Sequence, residues 1–239
     1  MEEKKFSIIM AVYNKELYVE KAIESVLNQS YKNFELIIVN DGSQDNSIKI
    51  CKRYAKRDRR IIILEQNNLG VSSARNLGIN HSSGEYIIFL DADDYLENRC
   101  IEKFIQEVDI NNDVYICSFR RIYKNGDEIV FNRFEKLKPL IKGTGQNVLK
   151  KMYDENIYEA SVWANIYKRE YIVKNNIYFF EGIIHEDEEW LIRVMLLASR
   201  VQVVDCLLYN TLAGVANSII NSNNYKKSLS KIIISDNIL

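Results

Sequence analysis

The sequence predicts an α/β fold built on a doubly wound sheet, and three observations lead to this prediction. Four runs of strand-forming residues alternate with helical patterns across residues 1–98. The connections between them are short, as in repeated strand–helix–strand units with right-handed crossovers. The fourth run, residues 86–90, is an uninterrupted stretch of apolar strand formers, which is typical of a strand buried on both faces.

The elements of this first half follow from apolar patterning and turn chemistry. Buried strands are expected at residues 6–13, 34–39, 61–64 and 86–90. Asn14 is a suitable cap for the first helix, whose apolar face includes Val19 and Ile23. A second helix is expected after the turn at 40–43, and a third after the turn at 67–70.

Polar side chains lie at the carboxyl ends of three of these predicted strands. Tyr13 and Asn14 end the first strand, and Asp41 follows the second. Asp91 and Asp93 follow the fourth. Because doubly wound sheets bind ligands outside the carboxyl ends of their strands, the sequence predicts a ligand site where these three segments converge.

The segment after the fourth strand carries three closely spaced carboxylates, Asp91, Asp93 and Asp94. Such carboxylates repel one another and are costly to desolvate unless a cation neutralises them. Side chains alternate along an extended chain, so Asp91 and Asp93 project to the same side and offer hard oxygen ligands for Mn²⁺ or Mg²⁺. The alternative is a solvated acidic turn that caps a helix starting near Glu97.

A second acidic cluster, from Glu186 to Glu189, precedes an apolar helical pattern. The simpler interpretation is a helix N-terminus, whose dipole favours acidic residues, and it suits Glu188 and Glu189. An acid in the first turn of a helix that faces a pocket can also accept a proton from an incoming hydroxyl group. We therefore take Asp187 as a candidate general base.

The pattern is looser beyond Asp94. We expect a helix at residues 100–108, a strand at 114–119 and a β-hairpin at 120–131. A charged mobile lid is expected at 133–145, a helix at 146–152 and a strand at 161–167. The final residues have the pattern of an amphipathic element cut short, so we expect the native chain to extend beyond Leu239.

Composition limits the classes of function. Hydrophobic residues make up 47% of the 239 positions, enough for a sizeable α/β core. The net charge of −1 gives no electrostatic case for a nucleic-acid partner. The four cysteines are scattered without metal-ligand spacing, and no apolar run approaches the length of a membrane span. We expect a cytoplasmic protein with reduced thiols, and peripheral association with the inner face of the membrane stays open.

The order of motifs resembles the inverting, metal-dependent glycosyltransferases called family 2. The matching stretches are SIIMAVYN at 7–14, AIESVLNQS at 22–30, FELIIVNDGS at 34–43, NLGVSSARNLG at 68–78 and GEYIIFLDADD at 84–94. Together they cover most of residues 6–98 in the expected order. A looser match follows around Trp163 and around His185-Glu-Asp187.

The resemblance implies a nucleotide-sugar site formed by Ala11, Tyr13, Asn14, Asp41, Arg75, Asp91, Ala92 and Asp93. Tyr13 would stack on the base, and Asp41 would accept a hydrogen bond from a ring N–H, which favours uracil. Arg75 would lie beside the phosphates or the base, with a surface ion pair as the alternative. Asp91 would reach the ribose or the metal, and Asp93 would bind the Mn²⁺ or Mg²⁺ that bridges the diphosphate. Asp187 would deprotonate the acceptor hydroxyl.

The resemblance also implies a mixed sheet of the GT-A type. A Rossmann-like nucleotide-binding half (1–98) would join an acceptor-binding and catalytic-base half (99–220), followed by a C-terminal extension (221–239). The implied reaction moves a sugar, with inversion, from a nucleotide-diphospho-sugar to a hydroxyl of a glycan or lipid-linked acceptor. We expect a UDP-sugar as donor and a place in surface polysaccharide synthesis.

Three departures from the family pattern bear on this expectation. Ala11 stands where proline is usual, and Asn165 stands where many relatives carry a lysine. The stretch 209–219 lacks the basic residue that many relatives place after Tyr209. These changes leave open a non-catalytic module that binds nucleotide sugars or glycans.

Two other enzyme classes use paired aspartates on an α/β sheet, and the sequence argues against both. Phosphatases with a nucleophilic aspartate usually carry the motif on their first strand, whereas here it falls mid-chain and Asp94 follows it. Nucleotidyltransferases need a basic, glycine-rich triphosphate loop, and no stretch of this sequence resembles one. The glycosyltransferase interpretation is therefore preferred.

Overall fold

The secondary structure of the chain comes from a computed structural model, which describes residues 4–109, 111–140 and 142–214. The strands are β1 (Phe6–Val12), β2 (Phe34–Asn40), β3 (Ile61–Glu65), β4 (Tyr86–Asp91), β5 (Tyr95–Leu96), β6 (Val114–Ile122), β7 (Glu128–Phe131), β8 (Lys142–Gly143), β9 (Asn165–Lys168) and β10 (Val201–Leu212). The helices are α1 (Val19–Leu27), α2 (Ser47–Ala55), α3 (Val71–His81), α4 (Cys100–Glu107), α5 (Arg133–Leu137), α6 (Gly145–Asp154), α7 (Arg169–Lys174) and α8 (Glu186–Leu197).

One mixed sheet organises these elements, in the strand order β3-β2-β1-β4-β9-β6-β10-β5, with β7 added to β6 and β8 to β10. Strand β1 pairs in parallel with β2 on one side and β4 on the other. Val12 lies opposite Asn40, and Ala11 lies opposite Asp91, so the three strands end at one edge. The predicted α/β, doubly wound mixed sheet is confirmed.

Helices cover both faces of this sheet, as its uninterrupted apolar strands require. On β1, Ile8 and Met10 pack into one apolar cluster, to which α1, α2 and α4 contribute side chains. Ile9, between them, packs into the cluster on the other face with residues of α3, α6 and α8. Each fully buried side chain of this size contributes about 1.5–3 kcal/mol to stability. Parallel β1, β2 and β4 are thus held rigidly between two layers.

The second half corrects two of the predicted elements and adds one. The described residues of 133–145 are not only a loop: α5 occupies part of them, Asn132 caps it by accepting from the N–H of Glu135, and Arg133 is buried. A role of this segment as a mobile lid stays a prediction. The strand expected at 161–167 is only β9, because Asn165 donates to the carbonyl of Ser161 and bends the preceding chain. Strand β10 was not anticipated, whereas the hairpin of β6 and β7 is confirmed.

Two other expectations concern the chain as a whole. All four cysteines are buried and free. Among the residues that the structure describes, no helix is long and apolar enough to cross a membrane. The C-terminal extension expected at 221–239 lies outside the described residues, and the division at residue 98 stays a prediction.

A buried carboxylate ties together the amino ends of the strands that carry the predicted site. Glu35 on β2 accepts hydrogen bonds from Ser7 Oγ at 2.6 Å, from Lys5 Nζ at 2.6 Å and from the Ser83 N–H at 2.7 Å. Burial alone raises the pKa of Glu35, but these hydrogen bonds outweigh it and lower the pKa to about 2. Gly84 is required beside them, because a Cβ there would lie 2.6 Å from the Ser7 nitrogen.

We expect Glu35→Gln to lower the free energy of unfolding by about 1–3 kcal/mol at pH 7, because the buried donors lose a charged acceptor. A depressed carboxyl pKa stabilises the fold above the unfolded-state pKa, and this stabilisation is lost as pH falls toward about 2. The difference between variant and wild type should therefore narrow below about pH 4.3, the pKa of an unperturbed glutamate. Urea denaturation of both proteins at pH 7 and pH 3 measures this difference in the free energy of unfolding.

Glu65→Gln is the matched control, since Glu65 forms an exposed ion pair with Lys52. Its free energy of unfolding should change by less than about 1 kcal/mol. A Glu35→Gln variant as stable as this control at pH 7 would show that the Glu35 network does not stabilise the sheet.

Candidate active site

A cavity of about 560 Å³ opens at the edge where β1, β2 and β4 end, and the N-terminus of α8 forms its other wall. Eight of the nine predicted site residues line it: Ala11, Tyr13, Asp41, Arg75, Asp91, Ala92, Asp93 and Asp187. The structure thus brings together residues up to 176 positions apart, since 187 − 11 = 176. Their individual roles stay predictions.

Asn14 is the predicted site residue that is not among the described lining residues. Its backbone is left-handed, with φ of 51°, a conformation that asparagine tolerates better than most residues. Its N–H donates to Ser43 Oγ at 3.2 Å, and its Oδ1 accepts from the Gln44 N–H at 2.8 Å. Asn14 therefore fastens the loop after β1 to the loop after β2, which aims the flanking residues at the cavity.

Tyr13 and Asp41 form one corner of the cavity. The Tyr13 ring is 41% exposed, so an aromatic face is available to a ligand. Asp41 is buried, and its carboxylate accepts from Gln66 Nε2 at 2.8 Å and from the N–H groups of Leu69 and Gly70 at 2.7 and 2.9 Å. A carboxylate has about four acceptor positions, so Asp41 can take one more hydrogen bond while it orders the loop before α3.

Arg75 is a buried cation at the centre of the site, so it does form ion pairs, as the alternative interpretation held, but it is not at the surface. Its guanidinium donates to Asp91 Oδ1 at 3.0 Å and to Glu186 Oε1 at 3.0 Å. It also lies 5.2 Å from the Phe179 ring centroid. Burial alone lowers the pKa of Arg75, but Asp91 and Glu186 outweigh it and raise the pKa above its ordinary value. Arg75 thus joins α3, β4 and α8.

The acidic pair after β4 has cationic partners that the sequence did not reveal. Asp91 contacts Arg75, and Asp93 Oδ2 lies 2.6 Å from Lys15 Nζ. The Asp91 and Asp93 side chains are 31% and 21% exposed, so their oxygens are accessible from the cavity. Lys15 directly follows Tyr13-Asn14, and its position at the carboxyl end of a strand was the available signal.

Asp91 and Asp93 fit a hard divalent cation if water and substrate phosphates supply its other ligands. In the described part of the chain, no group of three or more His, Cys, Asp and Glu side chains is placed to hold a metal ion. Mg²⁺ is usually held by one or two carboxylates together with waters and substrate phosphates. Asp91 and Asp93 provide two such oxygen donors at an open edge, provided that Lys15 leaves Asp93.

Asp94 fixes the turn that presents this acidic pair. It is buried and accepts from the Leu212 N–H of β10 at 2.8 Å. Burial raises the pKa of Asp94 well above its ordinary value, and the charges of Asp91 and Asp93 raise it further. Tyr209, also on β10, accepts from the Asp91 N–H at 2.9 Å. The acidic turn is thereby attached to a strand from the second half of the chain.

Asp187 lies in the first turn of α8 and lines the same cavity as Asp91 and Asp93. Helix α8 is held there by Trp190, whose ring stacks on Phe179 with centroids 4.5 Å apart and donates to the Ile177 carbonyl at 3.2 Å. Burial raises the pKa of Asp187 to about 7, and the nearby charge of Glu186 adds to this rise. A carboxylate with a pKa near neutrality suits proton abstraction.

The other acids of this cluster are committed to different contacts. Glu186 pairs with Arg75. Glu188 and Glu189 lie in the first turn of α8, as predicted, and Glu189 is fully buried and pairs with Arg193 at 2.8 Å. His185, with φ of 65°, lines the cavity, whereas His81 is exposed. Asp187 is the member of the cluster left for chemistry in the cavity.

Comparison with known proteins gives a consistent result. The family model for glycosyl transferase family 2 matches residues 7–174. The chain is 36% identical over 205 residues to the uncharacterized glycosyltransferase EpsJ of Bacillus subtilis, covering 85% of this chain and 59% of that protein. It is 32% identical over 220 residues to glycosyltransferase GlyA of Streptococcus pneumoniae, covering 86% of this chain and 30% of that protein. The chain therefore spans a third to three fifths of these relatives.

A solved structure shares the fold. The structure of S. aureus TarS residues 1–349 in complex with UDP-GlcNAc superimposes with a TM-score of 0.78 at 24% sequence identity. The match covers 98% of this chain and 66% of that one. At this level of identity the likeness establishes the architecture.

Proposed function

The chain belongs to glycosyl transferase family 2, and from this premise we propose that it transfers a sugar, with inversion, from a UDP-sugar to a hydroxyl group. The acceptor would be a glycan or a lipid-linked saccharide, in the synthesis of a surface polysaccharide. The relatives are glycosyltransferases by name, and the S. aureus TarS structure holds UDP-GlcNAc.

One observation carries the proposal: a single cavity is lined both by the strand ends proposed to bind the nucleotide and by a buried carboxylate of α8 whose pKa is raised to about 7. The three adjacent strand ends carry Tyr13, Asp41, Asp91 and Asp93. Asp187 lines the same cavity from the first turn of α8. A transferase that inverts the anomeric carbon needs its leaving group and its base on opposite sides of the sugar, so the proposal requires the donor sugar to lie between the diphosphate and Asp187.

We assign the following roles to the chain's own residues. Tyr13 stacks on the base, and Asp41 accepts from the uracil N–H with its remaining acceptor position. Asp91 and Asp93 hold Mn²⁺ or Mg²⁺, which when bound offsets the negative charge that builds on the departing diphosphate. Asp187 takes the proton from the acceptor hydroxyl as its oxygen attacks the anomeric carbon.

A non-catalytic module that binds nucleotide sugars is the second candidate, and one observation favours it. Asn165, which replaces a lysine common in the family, is buried and bonded to Arg133 and Tyr167 instead of facing the cavity. Such a module would bind UDP-sugars without releasing UDP. Release of UDP in the presence of an acceptor separates the two candidates.

We expect UDP to bind at least about tenfold more tightly than CDP, because Asp41 can accept from the uracil ring N–H and cytosine offers no such donor. One hydrogen bond to a charged group contributes roughly 1.5–3 kcal/mol, which corresponds to a factor of about ten or more. Calorimetric titration of UDP, CDP, GDP and TDP in the presence of Mn²⁺ measures the ranking.

Uridine and cytidine serve as the control pair, since they lack the diphosphate and should keep the same ratio. Equal affinities for UDP and CDP would remove Asp41 from base recognition. Tighter binding of GDP than of UDP would contradict the proposed donor class.

A further inference from the structure

We propose that Lys15 binds the diphosphate of the donor, exchanging its contact with Asp93 for one with a phosphate oxygen when the nucleotide sugar enters. The inference rests on the proposed function, because it concerns the same cavity. It explains why a lysine pairs with a carboxylate that is to hold a cation.

The backbone of Lys15 is fixed, whereas its side chain ends on the cavity wall. Its N–H donates to Ser47 Oγ at 2.8 Å, and its carbonyl accepts from the N–H groups of Tyr18 and Val19 at 2.9 Å. Its Nζ lies 2.6 Å from Asp93 Oδ2, and the side chain is 22% exposed. Lys15 therefore presents a positive charge from a rigid origin, and the charged end is accessible to a ligand.

The wall of the cavity is acidic, although the proposed ligand is an anion. Its described lining includes the carboxylates of Asp41, Asp91, Asp93, Glu186 and Asp187. Among the described lining residues, the basic ones apart from His185 are Lys15 and Arg75. Arg75 is buried and already donates to two carboxylates, so it is held in place. Lys15, with its single carboxylate contact and partial exposure, is the one of these two cations that can change partner.

Electrostatic interactions favour the exchange in two ways, by repulsion of Lys15 from a cation on Asp93 and by attraction of Lys15 to the diphosphate. A divalent cation on Asp93 repels a neighbouring ammonium group, so the metal and Lys15 compete for the same carboxylate. A cation held by Asp93 would also bind the diphosphate, which would bring new anionic oxygens close to Lys15. Lysine is a point charge on a flexible stem, so it can turn to these oxygens and regain a charge-assisted hydrogen bond. Lys15 thus keeps Asp93 paired in the free protein and contacts the donor in the complex.

Calorimetric titration of UDP and of uridine, with Mn²⁺ present, tests the proposal on wild type, Lys15→Met and Lys15→Arg. Lys15→Met should bind UDP about tenfold or more weakly, the effect of one charge-assisted hydrogen bond, and bind uridine as wild type does. Lys15→Arg, which keeps the charge, should recover part of the loss. Mn²⁺ titrated without nucleotide should bind Lys15→Met at least as tightly as wild type, because its competitor is gone.

Lys49→Met is the matched control, because Lys49 is an exposed lysine of α2 that does not line the cavity. It should behave as wild type in all three titrations. Unchanged UDP affinity in Lys15→Met would overturn the proposal and leave Lys15 as a counter-ion of Asp93. An equal loss for UDP and uridine would also overturn it, since Lys15 would then only support the loop. A wild type that binds no UDP would instead refute the proposed function itself.

Discussion

Replacing Asp93 with asparagine is expected to weaken UDP binding in Mn²⁺ by at least about 10–100-fold, and to weaken it far less in EDTA. Loss of a residue that merely supports a metal ligand costs this much affinity, so loss of the ligand itself should cost no less. The size of asparagine matches aspartate, and Asp93 is partly exposed, so the fold should be retained. Calorimetric titration of UDP in the two conditions measures the difference.

The structure gives a reason why Asp93→Asn should weaken UDP binding far more in Mn²⁺ than in EDTA. Asp93→Asn releases Lys15 from its 2.6 Å ion pair, and the released ammonium group can contact the diphosphate without metal. UDP binding in EDTA should therefore be close to that of wild type. Asp205→Asn, on an exposed position of β10, is the control and should bind UDP as wild type does. Equal weakening by Asp93→Asn in Mn²⁺ and in EDTA would show that this carboxylate does not bind metal.

The fold of the nucleotide-binding half could be predicted from the sequence because the signals there, apolar runs and turn residues, are local. The strands β1, β2 and β4 are mainly apolar; Tyr13 and Asp41 directly follow the first two, Asp91 ends the third, and the parallel register places these ends together. Apolar runs and turn residues can be recognised without knowing the tertiary fold. The convergence of the site could therefore be predicted.

The second half depends on contacts between distant residues, which a single sequence does not display. Arg133 looked like part of a charged surface loop, yet it is buried against Ser161 and Asn165. Strand β10 carries Asp205 and Asn210, which obscured its pattern, and its pairing with β6 supplies the ladder that defines it. Tertiary packing overrode local propensity in both cases.

The partners of the site carboxylates escaped prediction for the same reason. Lys15 lies 78 residues from Asp93, and Arg75 lies 111 residues from Glu186. No basic residue is adjacent to Asp91 or Asp93 in the sequence, yet both carboxylates contact a basic side chain in the fold. The acidic pair still fits a divalent cation, but the cation has to displace Lys15.

Asp187→Asn is expected to lower the transfer rate by roughly 10²–10⁴, the usual contribution of a positioned base. A sugar hydroxyl is a poor nucleophile near neutral pH, so the attack requires a proton acceptor on the acceptor side of the anomeric carbon. Asp91 and Asp93 are proposed to hold the cation at the leaving group, and in that role they would not serve as the base. Glu186 is held by Arg75 at 3.0 Å, so Asp187 is the carboxylate of α8 that remains available.

The pKa of Asp187 makes the expectation more specific. Because burial raises this pKa to about 7, the base is protonated at acidic pH, and the wild-type rate should rise with pH and level off above about 7. The folded state binds this proton more tightly than the unfolded state, so ionisation of Asp187 destabilises the fold as pH rises from about 4 to 7. Asp187→Asn should therefore gain thermal stability relative to wild type at pH 8, and gain less at pH 5.

Steady-state transfer rates from pH 5 to 9, measured with a verified acceptor, test the expected loss of rate and the expected pH profile. UDP affinity is measured alongside, and Asp187→Asn should leave it nearly unchanged. Glu188→Gln is the control, because the Glu188 backbone N–H donates to Asp187 at 2.9 Å and its side chain can change without breaking this contact. Glu188→Gln should keep most of the rate and the wild-type pH profile. If Asp187→Asn keeps most of its rate, the base lies elsewhere, and Glu186→Gln becomes the next variant to measure, since release from Arg75 would then have to accompany acceptor binding.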